Sequence, residues 1–125
     1  MKNAFGKLTV KAAGVTFDNR PGKLWNIRKY MCTGAPITTM LRREPGNERD
    51  PHAIAVLVKT DTTVAKIGYV PANIAFWLSQ KMDNGLSVRA YHGYVTGGAG
   101  KAKNLGFTFE IVHEIPAVAT LPATD

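Results

Sequence analysis

The chain has 125 residues, 45% of them apolar and 20% charged, with sixteen Lys and Arg against nine Asp and Glu and a formal net charge of +7. That length suits one domain with a real core, and the positive excess favours polyanionic partners, nucleic acid first and an anionic membrane surface second. A single cysteine, Cys32, excludes an intrachain disulfide and a thiolate metal cluster, while the lack of a long apolar run or a signal peptide leads us to expect a cytoplasmic, intracellular setting.

The charge is lopsided: residues 1–50 hold ten basic and four acidic side chains, and residues 51–125 hold six and five. Residues 1–5 are expected to be frayed. From Lys7 to Phe17 the order KLTVKAAGVTF alternates Leu8, Val10 and Ala12, then Val15 and Phe17 after a phase change at Gly14. This predicts a long first strand bent at the glycine. Asp18-Asn19-Arg20-Pro21-Gly22 reads as a loop and helix start, with Asp18 or Asn19 able to cap and Pro21 tolerated in the first turn. Leu24, Ile27 and Met31 recur at helical spacing and predict a short amphipathic helix ending by Thr33-Gly34. Trp25, Arg28 and Lys29 fall off that stripe, so Trp25 either covers a neighbouring element or stacks on a base. Cys32 is expected to be half-buried.

Pro36 to Arg43 reads as the second strand and Ala53 to Lys59 as the third, with Ile54, Val56 and Val58 at a spacing of two. Between them Pro45-Gly46-Asn47 cannot continue a strand, because Pro45 has no N–H and Gly46-Asn47 accept positive φ. Arg42, Arg43 and Arg49 are interleaved there with Glu44, Glu48 and Asp50. Taken alone, such a turn is either a solvated loop whose charges pair with each other or a loop that faces phosphates.

Asp61-Thr62-Thr63 turns the chain into a fourth strand, Val64 to Tyr69, and Pro71 suits the first turn of a second helix. The apolar face of that helix is Ile74, Trp77/Leu78 and Met82, and Gly85 is a natural left-handed cap. Leu86, Val88, Ala90 and His92 alternate with Ser87, Arg89 and Tyr91 in a fifth strand with one buried face. Residues 97–104, GGAGKAKN, read as a flexible loop, and Leu105, Phe107, Phe109 and Ile111 mark a sixth strand. After Ile115 the segment PAVATLPATD has little apolar bulk, so residues 1–115 are expected to form the domain and 116–125 a disordered tail. Six short strands and two helices make the expected fold mainly β, a small curled barrel with peripheral helices.

Catalysis leaves few traces. Gly97-Gly98-Ala99-Gly100-Lys101 fails as a nucleotide-binding loop, which needs glycine where Val95 stands and Ser or Thr where Ala102 stands. His52, His92 and His113 share no ligand spacing, so neither a metal site nor a cofactor is expected. Glu44 and Asp50 would approach across the turn and suit a divalent ion, the premise of a small metal-dependent nuclease. The three arginines around them explain the pair more simply. Binding fits better, since single-strand recognition needs cations for phosphates and flat side chains for bases. Arg42, Arg43 and Arg49 supply the cations, Lys101 and Lys103 offer looser contacts on the glycine loop, and Phe17 and Tyr69 are candidate stackers.

The pattern R-E-P-x-N-x-x-D-P-x-A-I-x-V from Arg43 to Val56, followed by Ile67-Gly68-Tyr69-Val70-Pro71 and by Ile74-Ala75 in a helix, resembles the HIRAN domain. Gly14-Val15-Thr16-Phe17 resembles that family's first strand, and the likeness runs from Val10 to Leu86 and more loosely through the last two strands. The resemblance implies an SH3- or OB-like barrel with its turns gathered at the two ends. It also implies recognition of the 3′ end of single-stranded DNA, as in HIRAN domains of fork-remodelling ATPases.

Carried over by position, Asp50 would accept a hydrogen bond from the terminal 3′-hydroxyl. Asn47 and the turn's backbone N–H groups would shape the pocket, with Phe17 and Tyr69 flanking the base. Three positions depart from those relatives: Thr16 replaces a cation, Arg49 an aromatic residue, and Pro71-Ala72 a lysine. Arg49 offsets this in part, since a guanidinium stacks or grips phosphate. The expected function is a non-catalytic nucleic-acid-binding module for single-stranded DNA or its 3′ ends, in processes linked to repair and replication. Any helicase, nuclease or other ATPase would be supplied by a partner, with no membrane role. The alternative is a protein-interaction module that keeps the barrel without the pocket.

Overall fold

The computed structural model describes residues 3–15, 20–61, 63–99 and 102–117, with backbone alone for 20–21, 98–99 and 102–104. Its elements run β1 (Ala4–Lys11), α1 (Arg20–Cys32), β2 (Thr38–Arg43), β3 (Ile54–Lys59), β4 (Val64–Tyr69), α2 (Ala72–Asp83), β5 (Val88–Ala99) and β6 (Ala102–Ile115). The mainly β class is as expected; the closed barrel is not. The strands form two antiparallel three-stranded sheets, β1-β6-β5 and β2-β3-β4.

The sheets meet along two seams. On one, Ala13 exchanges both backbone hydrogen bonds with Tyr69, at 2.7 and 2.8 Å. On the other, β2 faces β5 with no backbone hydrogen bond between them among the described residues. There the Thr39 hydroxyl and the Phe107 ring press against Gly93, where an added Cβ would lie 2.3 Å from each. Side chains fill that seam where a ladder would close a barrel.

The core lies between the sheets. Ile54, Val56, Val58, Ile67, Phe107, Phe109 and Ile111 are buried from the strands, joined by Leu24 and Ile27 of α1 and Ala75 and Leu78 of α2. Fully burying one such large side chain contributes about 1.5–3 kcal/mol, which is why period-two and helical stripes position the elements. β3 departs from simple alternation: Ala55 and Leu57 are buried too, as suits a central strand covered on both faces.

Several details differ from expectation. Ala4 and Phe5, within the stretch expected to fray, pair with Ile115 and Glu114. Most of the glycine-rich stretch is strand, with Gly97 paired to Leu105 and Ala99 to Ala102. Low strand propensity there yields to the ladder propagated by the long flanking strands. Cys32 is exposed. Trp25 is 45% exposed, with the Arg28 guanidinium 5.7 Å from its ring centroid. Trp77 is also exposed, leaving Ala75 and Leu78, flanked by Ile74 and Met82, as the apolar face of α2.

The bend at Gly14 is present, with φ 70, and so is the cap at Gly85, with φ 80. Phe17 and residues 118–125 of the expected tail lie outside the described residues. Among the described residues no helix is long and apolar enough to cross a membrane.

Candidate nucleic-acid interface

The turn between β2 and β3 is held by its own side chains. Asn47 N–H donates to the Glu44 carbonyl at 3.0 Å, and Asn47 Oδ1 accepts the N–H groups of Arg49 and Asp50 at 2.9 and 3.1 Å. Asn47 Nδ2 donates to Glu44 Oε1 at 3.2 Å. The Glu44 carboxylate also accepts from the Tyr69 hydroxyl at 2.7 Å, Lys66 Nζ at 3.0 Å and Arg42 Nη2 at 3.3 Å. Lys66 Nζ donates in turn to the Tyr69 hydroxyl oxygen at 2.9 Å.

The Glu44 side chain is only 17% exposed. Burial alone would raise its pKa; the hydrogen bonds from Tyr69, Lys66, Asn47 and Arg42 outweigh it and hold the carboxyl at about 2. Hydrogen bonds to Tyr69 and Glu44 raise the Lys66 pKa in step. The end of β2, the turn and the end of β4 are thus one cross-linked unit.

Beside this unit lies a cleft of about 710 Å³, within the roughly 300–1,000 Å³ range of small-molecule sites. It is lined by Asn47, Arg49 and Asp50 of the turn, Ala13 and Gly14 beyond β1, and Tyr69. The segment after β1 comes this close to β4 because position 68 is glycine. A Cβ there would lie 2.6 Å from the Ala13 carbonyl oxygen. Asp50 Oδ1 accepts the His52 N–H at 2.8 Å. Among the described residues Asp50 forms no ion pair, and its second carboxylate oxygen takes no hydrogen bond. That oxygen is a ready acceptor for a ligand hydroxyl.

Asn47, Arg49, Asp50 and Tyr69 are therefore brought to one place. Arg42 stands exposed next to them through Glu44. Arg43 does not join them. Its Nε and Nη2 grip Asp83 at 2.9 and 3.1 Å and its Nη1 donates to the Ala53 carbonyl at 2.9 Å, tying the end of α2 to β2. The bond to Asp83 raises the Arg43 pKa and lowers that of Asp83. Lys101 lies outside the described residues, and Lys103 is placed by its backbone alone, within β6.

Of the three arginines, Arg42 alone bonds either carboxylate among the described residues. Glu44 is held mostly by Tyr69, Lys66 and Asn47, and Asp50 by a backbone N–H. Among the described residues no group of three His, Cys, Asp or Glu is placed to hold a metal ion.

Lys66 and the anchoring role of Glu44 were missed in the sequence reading. Lys66 and Tyr69 are three apart, a spacing that in a regular strand sends side chains to opposite faces. Here the register of β4 slips by one residue at Ile67, and both reach the same carboxylate.

A small mainly β domain with an open cleft, a hydrogen-bonded charged rim and an acceptor oxygen at its wall has the form of a binding domain. The HIRAN domain profile matches residues 6–114, so the chain belongs to the HIRAN domain family, a family of nucleic-acid-binding domains. No curated protein and no solved structure matches the chain.

Proposed function

We propose that this domain binds single-stranded DNA by its 3′ end, in the cleft beside Asp50. The observation that carries the reading is the Asp50 oxygen that takes no hydrogen bond among the described residues, at the wall of a cleft of about 710 Å³. A carboxylate accepts a hydrogen bond from a free 3′-hydroxyl and repels a 3′-phosphate. Arg49 and Arg42 contact backbone phosphates, with Lys101 and Lys103 further along the strand. Tyr69, its hydroxyl fixed by Glu44, flanks the terminal base together with Phe17. Arg43 is left to hold α2 in place.

The domain acts by binding, in an intracellular setting linked to repair or replication, and a helicase, nuclease or other ATPase in trans supplies any strand processing. The cleft supports this reading over a protein-interaction module without a pocket.

The test is fluorescence anisotropy with oligonucleotides ending in 3′-hydroxyl or 3′-phosphate, at two salt concentrations. Affinity should fall steeply with salt, as phosphate contacts require, and should favour the hydroxyl end. A flat salt response, or no binding at low salt, overturns the DNA reading. Equal affinity for the two ends removes the end pocket alone.

A further inference from the structure

We propose a second single-strand-binding surface, apart from the cleft, on the outer face of the β1-β6-β5 sheet, where Tyr91 and Tyr94 form a stacking platform for bases. On β6, Phe107, Phe109 and Ile111 are buried, so Thr108 and Glu110 face outward. Tyr91 pairs with Glu110 and Tyr94 with Thr108, which puts both rings on that outer face, 44% and 49% exposed.

The local backbone is irregular in the way this pairing requires. Residues three apart in a regular strand point to opposite faces. Here the register shifts between Tyr91 and Tyr94, so that His92 and Gly93 share the place of one residue and the phase is restored. His92 adopts φ 53, a left-handed backbone that side chains rarely take. A Cβ on Gly93 would press into Phe107 and Thr39, one of which would have to shift. The His92 ring sits 6.2 Å from that of Tyr91. Lone exposed aromatics are ordinary, but two brought together by a strained bulge call for a ligand.

The charge around the rings suits a polyanion. Lys11 pairs with Thr108 on the side of that residue away from Tyr94. Lys7 and Arg89 flank Val112 in the same manner, and all three cations are exposed. Glu110 is held between Lys7 Nζ at 3.6 Å and His92 Nε2 at 4.0 Å. Around the rings the face carries Thr9, Thr108, Glu110 and the three cations, with Phe5 and Val112 as its apolar members toward the far end of β1 and β6. Aromatic rings among cations on an open sheet are what single-stranded nucleic acids stack on, with little sequence preference.

The probe is a circular single-stranded oligothymidylate, which has no terminus for the cleft to read. Its affinity should fall about tenfold or more in the Tyr91→Ala/Tyr94→Ala double variant, because each stacked base is lost with its ring. Phenylalanine at both positions should restore it, since the ring stacks and the hydroxyl does not. An equal affinity of the wild type and the alanine variant for the circle overturns the platform. So does a failure of the wild type to bind the circle at low salt, which would leave the face to a protein partner. Loss of the 3′-hydroxyl preference on linear DNA, with circle binding intact, removes only the cleft reading.

Discussion

Two bulged strands use the same device to opposite ends. In β4 the slip at Ile67 brings Lys66 and Tyr69 to one carboxylate. In β5 the slip at His92-Gly93 brings Tyr91 and Tyr94 to one face. The first pair is engaged within the molecule through Glu44, whereas the second leaves two rings facing solvent. A bulge re-aims side chains, and whether they then find partners separates a structural role from a binding one.

Four experiments would break or sharpen this contrast. The largest effect is expected from Gly93→Ala, whose Cβ would lie 2.3 Å from Phe107 and Thr39. Overpacking of this kind costs about 1–3 kcal/mol, here toward the upper end because both neighbours are buried. An unchanged urea midpoint would show that the β5 bulge can relax.

Next comes Glu44→Gln, which takes the charge from the β4 bulge's shared partner. Loss of charge-assisted hydrogen bonds should cost about 2 kcal/mol at neutral pH. The wild-type carboxyl is held at about 2 instead of the usual 4.5. The charged form is therefore favoured by folding, and its contribution is complete above pH 4.5 and lost as pH falls toward 2. The stability difference between wild type and variant should close over that window. A difference constant with pH would mean that Glu44 stabilises by packing alone.

Asp50→Ala should reduce the preference for 3′-hydroxyl over 3′-phosphate ends by about tenfold, the worth of one charge-assisted hydrogen bond. Equal loss on both ends would make Asp50 a support of the turn through His52. The smallest effect belongs to Asp83→Asn, since Arg43 keeps its bond to the Ala53 carbonyl. Its urea midpoint should drop less than that of Glu44→Gln, and a larger drop would make the exposed Arg43–Asp83 pair a main anchor of α2.

Periodicity in the sequence carried much of the fold. The stripe Leu24, Ile27 and Met31 and the alternation Leu105, Phe107, Phe109 and Ile111 report burial directly, because elements pack by one face. The grouping of Asn47, Asp50 and Tyr69 was legible only through the family's irregular pattern. The grip of Arg43 on Asp83 was not legible, because that partner stands forty residues away with no local trace. Tyr94 was overlooked because a one-residue slip inverts the alternation that a reader counts. The barrel failed to close for a similar reason: the packing of Thr39 and Phe107 against Gly93 is a property of three distant segments.

Tyr69 has one further consequence. Its backbone clasps Ala13 across the seam between the sheets, while its hydroxyl belongs to the charged rim. A single residue thus joins the two sheets at one seam and walls the cleft. A change that displaces Tyr69 would therefore disturb the seam and the cleft wall together.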